Sequence, residues 1–102
     1  MPLQEEKMYA TLIISHAEMA MDYFSQGSDK FKRAEFGNAL RLLKKGQVCL
    51  NVACNLEMSL FYLEKEKVTH IAMVIEAKEY LTTVIHWGKF FAAMQKTLER
   101  EI

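Results

Sequence analysis

The chain reads as all-α, on three observations. Proline occurs once, at Pro2, outside any element, so no proline interrupts long helices. Apolar residues recur at i, i+3 and i+4 spacings along almost all of its 102 residues. No window alternates with period two for long enough to make a strand. The expected architecture is a set of antiparallel helical hairpins, four to five helices in all, or three long helices if Gly46 and Gly88 do not break the chain. A chain of this length is expected to fold as a single domain, residues 1–102.

The elements follow in order. Gln4 to Gln26 is one helix, with Met8, Tyr9, Leu12, Ile13, Met19, Ala20, Tyr23 and Phe24 on its apolar face. Gly27-Ser28-Asp29 stops it or forms a tight corner, because glycine is the poorest ordinary helix former. A second helix starts near Arg33 to Phe36, with Phe36, Ala39, Leu40, Leu43 and Gln47 on one side and Arg41, Lys44 and Lys45 on the other. Either it passes through Gly46 or it turns there. The next apolar face is Cys49, Val52, Ala53, Leu56, Leu60 and Leu63, and the polar run Glu64 to Lys67 reads as a helix end. Val68 to Trp87 is helical. It carries Ile71, Ala72 and Ile75 on one strip and Val74, Ala77, Leu81, Val84 and Ile85 on another, which predicts a helix sandwiched between neighbours. Gly88 marks a break or kink. Lys89 to Ile102 closes the chain with Phe90, Phe91, Met94 and Leu98 inward.

Composition narrows the class. Thirteen bases balance 13 acids, 51 % of residues are hydrophobic and 25 % are charged, which suits a soluble globular protein rather than a disordered one. No apolar run is long enough to span a membrane, and the acidic start, Met1 to Lys7, lacks the order of a signal peptide. Cys49 and Cys54 are too few for a disulfide scaffold, and five residues apart on a helix they point about 140° away from each other. Both read as buried thiols of a cytoplasmic protein.

Catalytic and ligand-binding motifs are missing. There is no phosphate-cradling glycine loop and no Gly-x-Ser-x-Gly elbow. None of the 11 glutamates has a histidine three residues on, the spacing that puts two metal ligands on one helix face. His16 and Ser15 are sequence neighbours and face different ways. Glu66 and His70 suit a surface contact, and His86 beside Trp87 reads as a core or boundary residue. No enzyme activity, cofactor or metal is expected. Lys30, Lys32, Arg33, Arg41, Lys44 and Lys45 form a local basic patch around Phe31 and Phe36. The chain as a whole has no basic excess, so nucleic acid is not the expected partner.

Two asymmetries point to surfaces. Residues 1–29 hold five acids and one base, whereas residues 30–50 hold six bases and one acid. Either the first two helices match each other electrostatically, or the region meets a partner, or these are solvated faces. Seven methionines are spread along the chain. Methionine fills gaps in cores and also suits grooves that accept varied apolar side chains. Met21, beside the Met19–Tyr23 face rather than within it, is the best groove candidate.

The stretch from Tyr23 to Gly46, YFSQGSDKFKRAEFGNALRLLKKG, resembles a tetratricopeptide (TPR) repeat, a 34-residue helix–turn–helix unit. Tyr23 precedes the small Gly27, Phe36 opens the second helix, and Ala39, Leu43 and Gly46 follow at the matching intervals. Gln26, Lys30 and Asn51 stand where that family prefers leucine, tyrosine and proline. The same window is similar to the three-helix MIT domain, in AMDYFSQ and EFGNALRLLKKG. NALRLLKKGQVCLN and VACNLEMSLFYL resemble flagellin-export chaperones of the FliS type, without the loop those place between the two. The TPR resemblance implies a non-enzymatic adaptor that binds a peptide or amphipathic helix of a partner protein. Met21, Phe24, Ser28, Phe31 and Lys32 would line the first hairpin, with Asn51, Asn55 and Met58 on the next helix. Phe24→Glu or Asn55→Ala is then expected to weaken binding without unfolding the chain. The export-chaperone resemblance implies instead that a client helix is shielded. A third reading is self-association into a homodimer that buries an apolar flank.

Overall fold

The computed structural model describes residues 2–64 and 72–101. They form α1 (Pro2–Lys32), α2 (Phe36–Glu64) and α3 (Ala72–Glu101), and among the described residues there is no strand. The described residues therefore adopt the three-helix form of the expected architecture. The form with four or five helices is corrected. The physical reason is that the glycines do not punctuate. α1 runs through Gly27, α2 through Gly37 and Gly46, and α3 through Gly88, none of them at positive φ. A β-carbon on Gly27 would stand 2.9 Å from Leu43 Cδ2, one on Gly46 would stand 2.5 Å from Phe24 Cε1, and one on Gly88 would overlap Leu50 Cδ2. These three glycines are spacers where neighbouring helices come close.

The corner lies at Arg33–Glu35, after Gly27-Ser28-Asp29 rather than at it. Ala34 takes φ 62°. Its N–H donates to the Phe31 carbonyl at 3.0 Å, and the Glu35 N–H donates to the Lys30 carbonyl at 2.9 Å. This pair of bonds is the Schellman cap, with alanine where glycine is usual. The Glu35 carbonyl then accepts the Ala39 N–H at 2.9 Å and opens α2.

The core follows a strict seven-residue repeat. Glu6, Ala10, Ile13, Ala17, Ala20, Phe24 and Gly27 are buried along α1, in alternating steps of four and three. Val74, Ala77, Leu81, Val84, Gly88, Phe91 and Leu98 do the same on α3, and Ala39, Leu42, Gly46, Cys49, Ala53 and Leu60 on α2, where Leu43 and Leu50 widen the seam. A 3.5-residue period is the pattern of helices crossing at about 20° with knobs in holes. At about 1.5 Å per residue the 31 residues of α1 span about 46 Å, so α1 runs nearly the whole 49 Å of the bundle. α1 and α2 are antiparallel across the short turn and share the most extensive interface, because alanine and glycine let their backbones approach. α3 runs parallel to α1: Thr11 Oγ1 lies 3.9 Å from Met73 Sδ near the two N-termini, and Phe24 stacks on Phe91 towards the far end. Gln47 Nε2 donates to the Gly88 carbonyl at 3.0 Å and ties α2 to α3.

Several expected core residues lie outside this seam. Met8, Leu12, Met19, Val52, Phe36 and Phe90 are exposed. Alanines and glycines fill the seam positions at the crossings, and the larger side chains sit on the flanks. α3 buries one strip, not two: Ile75 is exposed, whereas Val74, Ala77, Leu81 and Val84 are buried. His86 is exposed, and Cys49 is buried while Cys54 is only half-buried; both thiols are free. The helix start at Val68, the position of Ile71 and the Glu66–His70 contact lie outside the described residues. No helix among the described residues is long and apolar enough to cross a membrane.

Candidate partner-binding groove

The groove between α1 and α3 near the turn end is built on the stacked pair Phe24–Phe91. The two ring centroids are 4.8 Å apart and 13° from parallel. Phe24 comes from the α1 seam and is fully buried, while Phe91 comes from the α3 seam one layer from the surface. Two further aromatic rings continue the stack outward. Trp87 lies 6.3 Å from Phe91, and Phe90 packs edge-on to Phe91 at 5.2 Å. Trp87 and Phe90 also meet edge to face at 6.3 Å. Both are large and about half exposed, at 49 % and 56 %. An aromatic ladder thus runs from the core to solvent on one side of α3.

Beside Trp87 is a depression of about 220 Å³, lined by Met21, Ser25, Ser28, Asp29, Lys32, Trp87 and Phe91. On α1, positions 21, 25, 28 and 32 lie three or four apart and so share one edge. Its volume is below the roughly 300–1,000 Å³ of small-molecule pockets and is on the scale of one or two side chains. Its wall is apolar at Met21, Trp87 and Phe91 and polar at Ser25, Ser28, Asp29 and Lys32. Further along the same two helices, burial and then the Glu18 and Asp22 carboxylates hold the Tyr80 phenol above its ordinary value.

Three of the expected site residues, Met21, Ser28 and Lys32, meet in this groove. Phe24 does not line it. It is fully buried beneath Phe91, so the expectation that it contacts a partner is corrected, because its whole ring is used in core packing. Phe31 sits at the turn against Phe36, with centroids 5.6 Å apart. Asn51 and Asn55 are exposed on α2 and line neither this groove nor the next. Met58 lines a second depression of about 400 Å³ with Glu57, Phe61, Tyr62 and Lys78, between α2 and α3. The eight residues therefore do not form one surface. Trp87 and Phe90 were not among them. The seven-residue repeat of α3 marks both: with 84, 88 and 91 in the seam, 87 and 90 fall on its flank.

Comparison with known proteins gives no match: no protein-family model, no curated protein and no solved structure is similar to the chain.

Proposed function

We propose that the chain is a non-enzymatic protein–protein interaction module that takes an apolar side chain of a partner's amphipathic helix into the α1–α3 groove. The observation that carries this reading is the half-exposed Trp87, fixed on Phe91 at the edge of a depression that Met21 walls from the other helix. Tryptophan in such a position is the residue type most often found to anchor interfaces. A rigid aromatic base loses little entropy on binding, and full burial of one apolar side chain contributes about 1.5–3 kcal/mol before ordering costs. Ser25, Ser28, Asp29 and Lys32 supply a polar rim that can hydrogen-bond a helix laid across it. The two free thiols suit a reducing compartment such as the cytoplasm.

The test is selection of helix-forming peptides from a display library against the whole chain. Binders should carry an apolar i, i+3, i+4 face and should lose at least tenfold in affinity, about 1.4 kcal/mol, against Trp87→Ala and against Met21→Glu. Selected binders indifferent to both substitutions contradict the reading.

A further inference from the structure

The acidic excess of residues 1–29 falls on one edge of the bundle. Three of their five acids, Glu18, Asp22 and Asp29, lie on the edge of α1 that borders the groove to α3. Asp29 lines the depression beside Trp87 together with Ser25. Steps of three and four residues, from 18 through 22 and 25 to 29, set the other two carboxylates on the same edge, farther from the turn. All three are exposed. Burial, then Glu18 and Asp22, raise the Tyr80 phenol, so both carboxylates stand close to Tyr80 across the groove. The bases of this edge, Lys7 and Lys32, stand at its two ends. α3 adds charge of the same sign. Its edge towards α1 runs from Met73 through Tyr80 and Trp87 to Met94, and among the described residues the one charged side chain on it is Glu76, with Glu79 a row further out. Lys78, Lys89 and Lys96 share the other side of α3, where Lys78 lines the depression towards α2. The floor between the two edges is apolar: Ile14, Met21, Tyr80 and Met94 are half-buried against the core, beside the exposed Trp87.

We infer that the partner helix of this groove is basic: an amphipathic helix whose apolar strip is bordered by lysine or arginine. The inference rests on the groove reading given above and names the chemistry of its partner. The floor alone asks for an apolar strip at i, i+3, i+4 and i+7. The charges beside it then select what borders that strip. Glu18, Asp22 and Asp29 meet the partner's bases on one side, and Glu76 meets them on the other. A partner with an acidic border would bring like charges against these carboxylates along the middle of the groove. The edge from Thr11 to Lys32 is roughly 32 Å long, so it accommodates a helix of about 20 residues. Laid there, that helix completes a four-helix bundle, with its apolar strip on Met21 and Trp87.

The probe is a display library of helical peptides of about 20 residues, apolar at i, i+3, i+4 and i+7, with Lys, Glu and Gln mixed equally at the bordering positions. It is selected against the whole chain, and the binders are sorted by whether they lose affinity against Trp87→Ala. Binders that do are groove binders. They should carry Lys rather than Glu at the bordering positions. Their affinity should fall about tenfold against Glu18→Gln/Asp22→Asn/Asp29→Asn, the combined effect of three weak exposed pairs. It should also fall on the unaltered chain as salt is raised, because these pairs are screened. Groove binders with Glu or with no charge preference at the border overturn the inference and leave the groove reading standing, as do groove binders indifferent to the triple neutralisation. Binders indifferent to Trp87→Ala overturn both. If the triple variant loses its helical signal, salt decides on the unaltered chain: weakening supports the basic partner, and unchanged affinity overturns it.

Discussion

Gly46 of α2 lies against the ring of Phe24 of α1, so closely that a β-carbon would stand 2.5 and 2.6 Å from two ring carbons and 3.2 Å from the Ala20 carbonyl oxygen. The ring cannot retreat, because Phe91 is stacked on it. Alanine at position 46 would gain about 1 kcal/mol in helix propensity, but overpacking against a fixed ring and a backbone oxygen costs about 1–3 kcal/mol or more. Gly46→Ala is expected to lower the thermal midpoint. Gly88→Ala meets only the far end of the Leu50 side chain, and Gly37→Ala meets nothing within 4 Å. The expected order of stability is therefore Gly37→Ala above Gly88→Ala above Gly46→Ala. Melting curves followed by circular dichroism check it; an equal or higher midpoint for Gly46→Ala contradicts the packing.

Phe24 and Trp87 separate stability from binding. Phe24→Ala should cost about 3–5 kcal/mol as a large cavity opens in the seam, and Phe24→Glu should leave the chain unfolded, since it buries a carboxylate. Trp87→Ala removes a half-exposed ring and should cost no more than about 1–2 kcal/mol. Urea denaturation of the three variants measures the difference. Loss of partner binding in Phe24→Glu would report unfolding, not a lost contact.

The cap at Ala34 offers a gain. An alanine at φ 62° carries a strain of about 1–2 kcal/mol that glycine avoids. Ala34→Gly is expected to raise the midpoint by about 1 kcal/mol in stability, and Ala34→Val to lower it. A fall in stability for the glycine variant would mean that the turn is not the Schellman cap.

Alkaline pH should destabilise the bundle. Burial, then Glu18 and Asp22, raise the Tyr80 phenol, and burial, then Glu57, raise the Cys54 thiol. The folded chain therefore holds both protons more tightly than the unfolded chain does. This stabilisation is fully present below the ordinary values, about 8.5 for a thiol and 10 for a phenol, and is lost as pH rises through the folded ones. Urea midpoints between pH 8 and pH 10.5 should fall less steeply in Tyr80→Phe than in the unaltered chain. Iodoacetamide should also modify Cys54 more slowly than an unfolded cysteine at pH 8.

The all-α reading and the start of α2 near Phe36 were legible in the sequence, because apolar periodicity and the absence of internal proline report helices directly, whereas the corner expected at Gly27-Ser28-Asp29 lies at Arg33–Glu35. Gly27, Gly46 and Gly88 were misleading, since local propensity counts glycine against a helix and cannot see a neighbouring ring that needs its space. The buried face of α1 was also blurred. Met8, Leu12 and Met19 outweigh Ala10, Ala17 and Ala20 in hydrophobicity, yet the alanines hold the seam, because the close approach of α2 admits only small side chains. Met21, Ser28 and Lys32 came from the tetratricopeptide resemblance, which also put Phe24 and Phe31 in the same lining, while Trp87 comes from a helix about 60 residues away whose packing there, with Phe91 stacked on Phe24, no local pattern reports.

Trp87 is the single tryptophan of the chain, so its emission reports the proposed groove without labelling. The decisive measurement is a fluorescence titration of the whole chain with a display-selected helical peptide that contains no tryptophan. If the peptide seats a side chain against Trp87, the emission shifts to shorter wavelength and saturates with the binding curve, and Met21→Glu moves that curve at least tenfold to weaker affinity. A peptide that binds by calorimetry while Trp87 emission stays unchanged contradicts the groove as the binding site.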